Sequence, residues 1–290
     1  GAFIGAIHRI AARLDNQIEL VAGCFSSKAE RSAAMAAQLG ISSARCYDSY
    51  QQLFAAEAQL PPEQRIEFVT IVTPNHLHFP VAKAALQAGF HVLSDKPATL
   101  SLDEALQLQA LVHQTGLHYG LTHTYAAYPM ALQARLLVQQ GHLGAVRRVA
   151  VNYPQGWLAN KTDSDGSAQA QWRLDPARSG ISGCFADIGT HAANLATFVT
   201  GLPLQAVLAD LTAFPVEPGI TPIAIGNSAL HPRQHGQGHT TVGGNVLTAT
   251  EKARQTTGIA FEQAVQRQFV VHPLPQIVLA QRLHAAARAI

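Results

Sequence analysis

Three stretches of the chain set polar, chemistry-capable side chains directly behind apolar runs. Thr73-Pro74-Asn75-His76-Leu77-His78 follows Val72, Ser94-Asp95-Lys96-Pro97 follows Leu93, and Thr122-His123-Thr124-Tyr125 follows Leu121. A lysine at the end of an apolar run can hydrogen-bond a substrate hydroxyl and help lower its pKa. Lys96, pinned before Pro97, reads equally as that group or as a surface lysine at a loop corner. Asp187 and His191 are four residues apart, hence on one helix face. One reading makes them an exposed pair, or a carboxylate near a helix N-terminus. The other makes His191 a general base, because imidazole with its unperturbed pKa of ~6.5 titrates near working pH. Asp187 then orients His191 or the substrate, and Gly180-Ile181-Ser182-Gly183 just ahead permits close backbone approach. Trp172 and Arg173 either hold a loop against the body of the protein or line a pocket for a hydroxyl-rich ligand, and Tyr125 is a further candidate substrate contact. His76 and His78 form an H-x-H with no third ligand at a matching spacing, so no metal site is expected.

These groups need a frame. From Ile18 to His123 short apolar runs alternate with longer helical patterns: strands are expected at Ile18–Phe25, Glu67–Val72, Phe90–Leu93 and His118–Leu121. Helices are expected at Ser27–Leu39, Pro80–Ala88 and Leu102–Thr115, each closed by a glycine (Gly40, Gly89, Gly116) as an αL C-cap requires. Alternation of this kind argues for an α/β doubly wound parallel sheet over residues 1–123, with ligands at the carboxyl ends of its strands. The tempo changes near Thr124. A helix at Tyr128–Gln140, strands at Ala145–Tyr153 and Leu204–Phe214, and a helix at Asp187–Thr200 predict an α+β second domain over 124–218.

The chain opens Gly1-Ala2-Phe3-Ile4-Gly5, which reads as entry partway through an element, the first strand and the diagnostic glycines lying before residue 1. One reading places Ala2, Phe3 and Ile4 in the end of a phosphate-binding turn that leads into a helix over Ala2–Leu14; the other is an ordinary helix start. After Phe25, where a dinucleotide fold often sets an acidic residue for the ribose 2′-hydroxyl, stand Ser26, Ser27 and Lys28, with Arg31 one turn on. Without a carboxylate to disfavour a 2′-phosphate, NADP is as well suited as NAD.

Composition excludes several classes. The 290 residues are 48 % hydrophobic, enough for a buried core. The 20 Lys+Arg against 18 Asp+Glu leave no basic stripe for nucleic acid. No run of ~18 apolar residues suggests a membrane span. Three scattered cysteines (Cys24, Cys46, Cys184) without a C-x-x-C fit a reduced, cytoplasmic compartment. Beyond Gly219 there is no Asp and only Glu251 and Glu262, and strand signals fall out of phase. Residues 219–290 are therefore expected to be an atypical tail, from a shifted or misassembled reading frame.

Taken in order, these pieces resemble the glucose–fructose oxidoreductase / inositol dehydrogenase / MocA (Gfo/Idh/MocA) family over roughly residues 1–215. They are Gly1–Gly5 with His8-Arg9, Thr73–His78, Asp95-Lys96-Pro97 (the family's Glu-Lys-Pro turn in this chain's version), Trp172-Arg173, and Gly183-Cys184-Phe185-Ala186-Asp187-Ile188-Gly189-Thr190-His191. The resemblance implies a Rossmann domain, here without its first strand, followed by an α+β domain with an open, mainly antiparallel sheet, incomplete here and often used for homo-oligomerisation. It implies NAD or NADP bound near Thr73, Asn75, His78 and Lys96, and a catalytic set of Lys96, Asp187 and His191. In that mechanism His191 takes a hydroxyl proton from a sugar, cyclitol or related polyol, Lys96 polarises the oxygen, Asp187 orients both, and hydride passes to the nicotinamide. Two alternatives share the fold: a glycosidase that holds NAD tightly and oxidises transiently, and a non-enzymatic nucleotide-sensing regulator.

Overall fold

The computed structural model describes residues 3–153, 172–173, 175–180, 185–205, 207–214, 223–230 and 239–242, the last three segments as backbone only. The first half opens with helices α1 (Phe3–Arg13), α2 (Ala29–Leu39) and α3 (Tyr50–Glu57). Strand β1 (Phe68–Ile71), helix α4 (His78–Gln87), strand β2 (His91–Ser94), helix α5 (Leu102–Thr115) and strand β3 (Tyr119–Leu121) follow. The three strands pair in parallel in the order β1-β2-β3, with Ile71 opposite Ser94 and Ser94 opposite Leu121. Their carboxyl ends are thereby level, and the three polar stretches emerge side by side.

Local chemistry explains these boundaries. Gly40 and Gly116 close α2 and α5 at φ 71° and 67°, left-handed values that only glycine adopts at little cost. Ser101 caps α5 by accepting from Glu104 N at 3.2 Å, and Ser49 caps α3 by accepting from Gln52 N, also at 3.2 Å. On α4, Val81, Ala82, Ala85 and Leu86 recur at helical spacing and are all buried. They meet Ile71, Phe90 and Val92 from the sheet, Leu53 and Phe54 from α3, and Leu108 from α5 in one core. Burying a leucine as completely as Leu86 stabilises by roughly 1.5–3 kcal/mol.

The expected strand at Ile18–Phe25 does not form. A strand exists only where a neighbour pairs with it, and this segment has a single bridge, Gly23 to Cys46, in parallel. Helix α3 was not expected. Its Ser49 cap lay in the sequence, but Gln51 and Gln52 beside the apolar pair Leu53-Phe54 gave no clean period.

In the second half, helix α6 (Pro129–Gln139) and strand β4 (Arg148–Val151) precede a single helical turn at Pro176–Ser179. A wide π-helical turn at Phe185–Gly189 then runs into helix α7 (Thr190–Thr200), which Gly201 closes at φ 70°. Strands β5 (Val207–Phe214), β6 (Ile223–Leu230) and β7 (His239–Val242) join β4 in a sheet ordered β4-β7-β6-β5. The β5–β6 and β6–β7 pairs are antiparallel and β4–β7 is parallel. The expected break at residue 219 therefore falls inside this sheet. The shift to His and Gln there does not prevent pairing, because ladders are made by backbone groups. Of the expected tail, residues 219–222, 231–238 and 243–290 lie outside the described residues, as do residues 154–171 and 181–184.

Candidate active site

The polar stretches behind β1, β2 and β3 converge as the parallel register demands. Behind β2, Lys96 Nζ donates to Asp187 Oδ1 at 2.7 Å and also to the Asp187 carbonyl. The two side chains are 13 % and 24 % exposed, so the pair is partly shielded from solvent. Asp187 comes from the wide turn before α7, which presents both its carboxylate and its carbonyl to the lysine. Arg173 Nε lies 3.7 Å from Asp187 Oδ2, and its guanidinium lies 4.4 Å from the centroid of the Trp172 ring.

His191, the second residue of α7, is buried. Burial first, then the Lys96 charge, pushes its pKa down to about 4, against the opposing pull of Asp95 and Asp187. Three rings surround it. Tyr125 lies 4.6 Å away between centroids, His123 5.6 Å and Tyr153 6.3 Å. The hydroxyls of Tyr125 and Tyr153 hydrogen-bond to each other. That bond first, and burial second, pushes Tyr125 up to about 12. The expected set of Lys96, Asp187 and His191 is thus brought together, with Tyr125 and Arg173 beside it.

His78 is almost fully buried, and its Nδ1 and Nε2 sit 2.5 Å from the Pro97 carbonyl and 2.9 Å from the Thr73 carbonyl. Both ring nitrogens thus face carbonyls of the protein, and His78 links two turns. Asn75 is likewise buried, and its Nδ2 donates to the Ser179 carbonyl at 3.0 Å, tying the first half to the second. Asn75 and His78, both expected near the cofactor, thus each also hold a bond within the protein. By contrast Thr73 Oγ1 and His76 Nδ1 are buried without a hydrogen-bond partner among the described residues.

Helix α1 reaches the same edge: a Cβ on Gly5 would stand 3.5 Å from Val72 Cγ2, so the first turn of the helix lies against the end of β1. His8 on α1 feels the Asp95 charge. Of the expected turn residues, Ile4 is half-buried, Phe3 begins α1, and Ala2 lies outside the described residues. Ser26 Oγ accepts from Lys28 N at 3.1 Å, and Ser27 and Arg31 are exposed around the start of α2. A helix N-terminus against a strand end, with orphaned Thr73 and His76 atoms nearby, fits a dinucleotide.

Sequence reading did not single out Tyr153 or give His123 a role of its own. The signal for each was its place immediately past a strand, β4 and β3 respectively. Among the described residues no group of three or more His, Cys, Asp or Glu gathers to hold a metal. No helix among them is long and apolar enough to cross a membrane.

Residues 1–123 match the family model of an oxidoreductase family with an NAD-binding Rossmann fold, and residues 131–242 match the Gfo/Idh/MocA C-terminal domain. That second match runs past the expected break at 219. The chain is 36 % identical over 213 residues to the uncharacterized oxidoreductase YfiI of Bacillus subtilis, covering 73 % of this chain and 54 % of that protein. It is 32 % identical over 183 residues to a D-xylose 1-dehydrogenase (NADP⁺) of Haloferax volcanii, covering 63 % of this chain and 50 % of the other. The crystal structure of an inositol dehydrogenase homolog with NAD⁺ from Azotobacter vinelandii superposes with a TM-score of 0.77 at 30 % identity, covering 83 % of this chain and 61 % of that one. The chain thus spans about half the length of the curated relatives it matches.

Proposed function

Because the chain belongs to the Gfo/Idh/MocA family of oxidoreductases, we propose that it carries the cofactor and catalytic groups of an NAD(P)-dependent dehydrogenase acting on a CH–OH group of a sugar, cyclitol or related polyol. One observation carries this reading: Lys96 and Asp187, 91 residues apart, meet in a shielded ion pair with neutral His191 beside them. When bound, a nicotinamide supplies the hydride acceptor or donor for the reacting carbon. Thr73, His76, the first turn of α1, Ser26, Ser27 and Arg31 would hold it.

An ammonium has three N–H donors. Lys96 spends two on the carboxylate and carbonyl of Asp187, which aims the third at a substrate oxygen and stabilises the alkoxide character that develops there. His191 takes the hydroxyl proton on the lone-pair nitrogen of its neutral ring during oxidation and returns it during reduction. Asp187 holds Lys96 with one carboxylate oxygen and faces Arg173 with the other. Tyr125, Trp172 and Arg173 suit a hydroxyl-rich ligand through hydrogen bonds and ring contact. The same reading carries a homo-oligomer in a cytoplasmic compartment, the first checked by light scattering and the second by fractionation.

The test follows nicotinamide absorbance with NAD⁺ and NADP⁺ against a panel of sugars and polyols, comparing wild type with Lys96→Ala. Turnover that collapses in the variant while cofactor binding survives supports the reading. Tight cofactor binding with no turnover on any polyol overturns it.

A further inference from the structure

His123 has no part in the chemistry above, yet its placement is tightly specified. The residue before it is fastened twice to the strand end that bears Lys96. Thr122 N donates to the Ser94 carbonyl at 3.0 Å, and Thr122 Oγ1 donates to Asp95 Oδ1 at 2.8 Å. His123 N donates back to the Leu121 carbonyl at 3.1 Å, and the His123 carbonyl accepts from Ala126 N at 3.1 Å. The ring is therefore registered against Lys96 on the neighbouring strand end. It meets the His191 ring at 87°, with centroids 5.6 Å apart.

We infer that His123 is a positioning residue for His191: its edge-to-face contact holds the imidazole in place beside Asp187 and Lys96 and keeps water from that side. This rests on the reading of His191 as the base. The perpendicular arrangement is the one two aromatic rings prefer, the positive edge of one against the electron-rich face of the other. Both imidazoles rest uncharged, since a second cation this close to Lys96 would be repelled. The groups facing His191 are Lys96 and Asp95 from the end of β2, Asp187 from the wide turn, Tyr125 from the turn after β3, Tyr153 from the end of β4, and His123 itself. Those acting on His123 are His191, Lys96 and Asp95. Burial, then His191 and Lys96, pushes His123 down to about 4 as well, so the pair is neutral at working pH.

Substitution separates the ring's shape from its basicity. His123→Ala opens the side of His191 to water, and His123→Phe keeps an aromatic ring in place without nitrogens. His123→Gln serves where the alanine variant does not fold. The readout is the NMR titration midpoint of the His191 ring in the whole chain, with the acid limb of kcat/KM beside it. Wild type is expected to show a midpoint near pH 4, with activity lost as pH falls through that value. In His123→Ala or His123→Gln the midpoint should rise by about one unit, a tenfold gain in proton affinity, and the acid limb should rise with it. In His123→Phe it should stay within a few tenths of a unit. A midpoint indifferent to alanine and glutamine, or displaced as far by phenylalanine as by alanine, overturns the inference. If the midpoint moves as expected but wild type oxidises no polyol with NAD⁺ or NADP⁺, the positioning stands and the dehydrogenase reading falls. If wild type turns over and neither readout responds at position 123, the reading stands and the inference falls.

Discussion

The two halves of the molecule divide the labour unequally. In the first, α3, α4 and α5 close over β1 and β2, and Leu53, Phe54, Ile66, Ile71, Val81, Leu86, Phe90, Val92 and Leu108 form one continuous buried core. In the second, the described core is Ala192, Ala196 and Leu204, with Val149 and Val151 of β4 packed against it. Yet the catalytic candidates draw on both: Lys96 stands on the first half, at the end of β2, while Asp187 and His191 stand on the second. A densely packed frame resists displacement, so the lysine is the fixed member of the pair. The wide turn and α7 are the members that must be brought to it. Asn75 and Lys96 do this by bonding across the seam, to Ser179 and Asp187. The difference teaches that geometry at the chemistry is set by the seam rather than by either core.

The contrast breaks first on stability. Leu86→Ala, at 1 % exposed, should cost about 3–5 kcal/mol, and Leu204→Ala, at 5 % exposed, about 2–4 kcal/mol, because the less completely buried side chain loses less on truncation. Urea unfolding of both variants checks this. Equal costs would mean the two cores are equally tight. Next comes the seam itself. Asp187→Asn keeps the shape but removes the charge that aims Lys96, and kcat should fall by about 10²-fold or more with cofactor affinity nearly unchanged. Steady-state kinetics beside cofactor titration separates the two effects. A matching loss of cofactor affinity would place the pair in binding instead.

The same contrast governed what the sequence disclosed. The first half was legible because burial imposes period: apolar runs behind helices closed by Gly40 and Gly116 gave β1–β3 and α2, α4 and α5 to within two residues or so. Lys96, Asp187 and His191 were readable because each follows from position, a strand end or a helix face. Hydrogen-bond partners were not. Whether Asn75 and His78 face a cofactor or hold two turns together depends on which carbonyls lie within 3 Å, and Ser179 is 104 residues from Asn75. The wide turn at Phe185–Gly189 was hidden for the same reason, since FADIG carries no residue that prescribes it. The strand expected at Ile18–Phe25 shows the converse: propensity without a paired neighbour is not structure.

A gentler break in the seam leaves the chemistry in place and disturbs its alignment. Asn75→Ala removes the bond to Ser179 and leaves that carbonyl buried without this donor. The helical turn ahead of Asp187 then loosens, and kcat/KM should drop by about tenfold, near 1.4 kcal/mol, while the unfolding midpoint moves little. Asn75→Asp should not rescue it, because a carboxylate cannot donate to a carbonyl. Rescue by aspartate would show that Asn75 acts through an acceptor rather than through its bond to Ser179.

The smallest expected effect sharpens the contrast from the outer rim of the first half, where α2 begins. Behind its buried Ser32 and Ala36 the helix presents Lys28 and Arg31 to solvent, with no carboxylate after Phe25. A ribose 2′-phosphate placed there gains a charge-assisted bond from Arg31, whereas a 2′-hydroxyl gains little. Exposed pairs are weak, about 0.2–1 kcal/mol, so Arg31→Ala should weaken NADP⁺ binding by only about two- to fivefold and leave NAD⁺ binding unchanged. Isothermal titration with both cofactors, repeated at high salt, reads the difference. A loss shared equally by NAD⁺ and NADP⁺ would place Arg31 away from the 2′ position. A selective loss that vanishes in salt would confirm that the rim discriminates by charge alone, while the buried frame behind it only holds the rim in place.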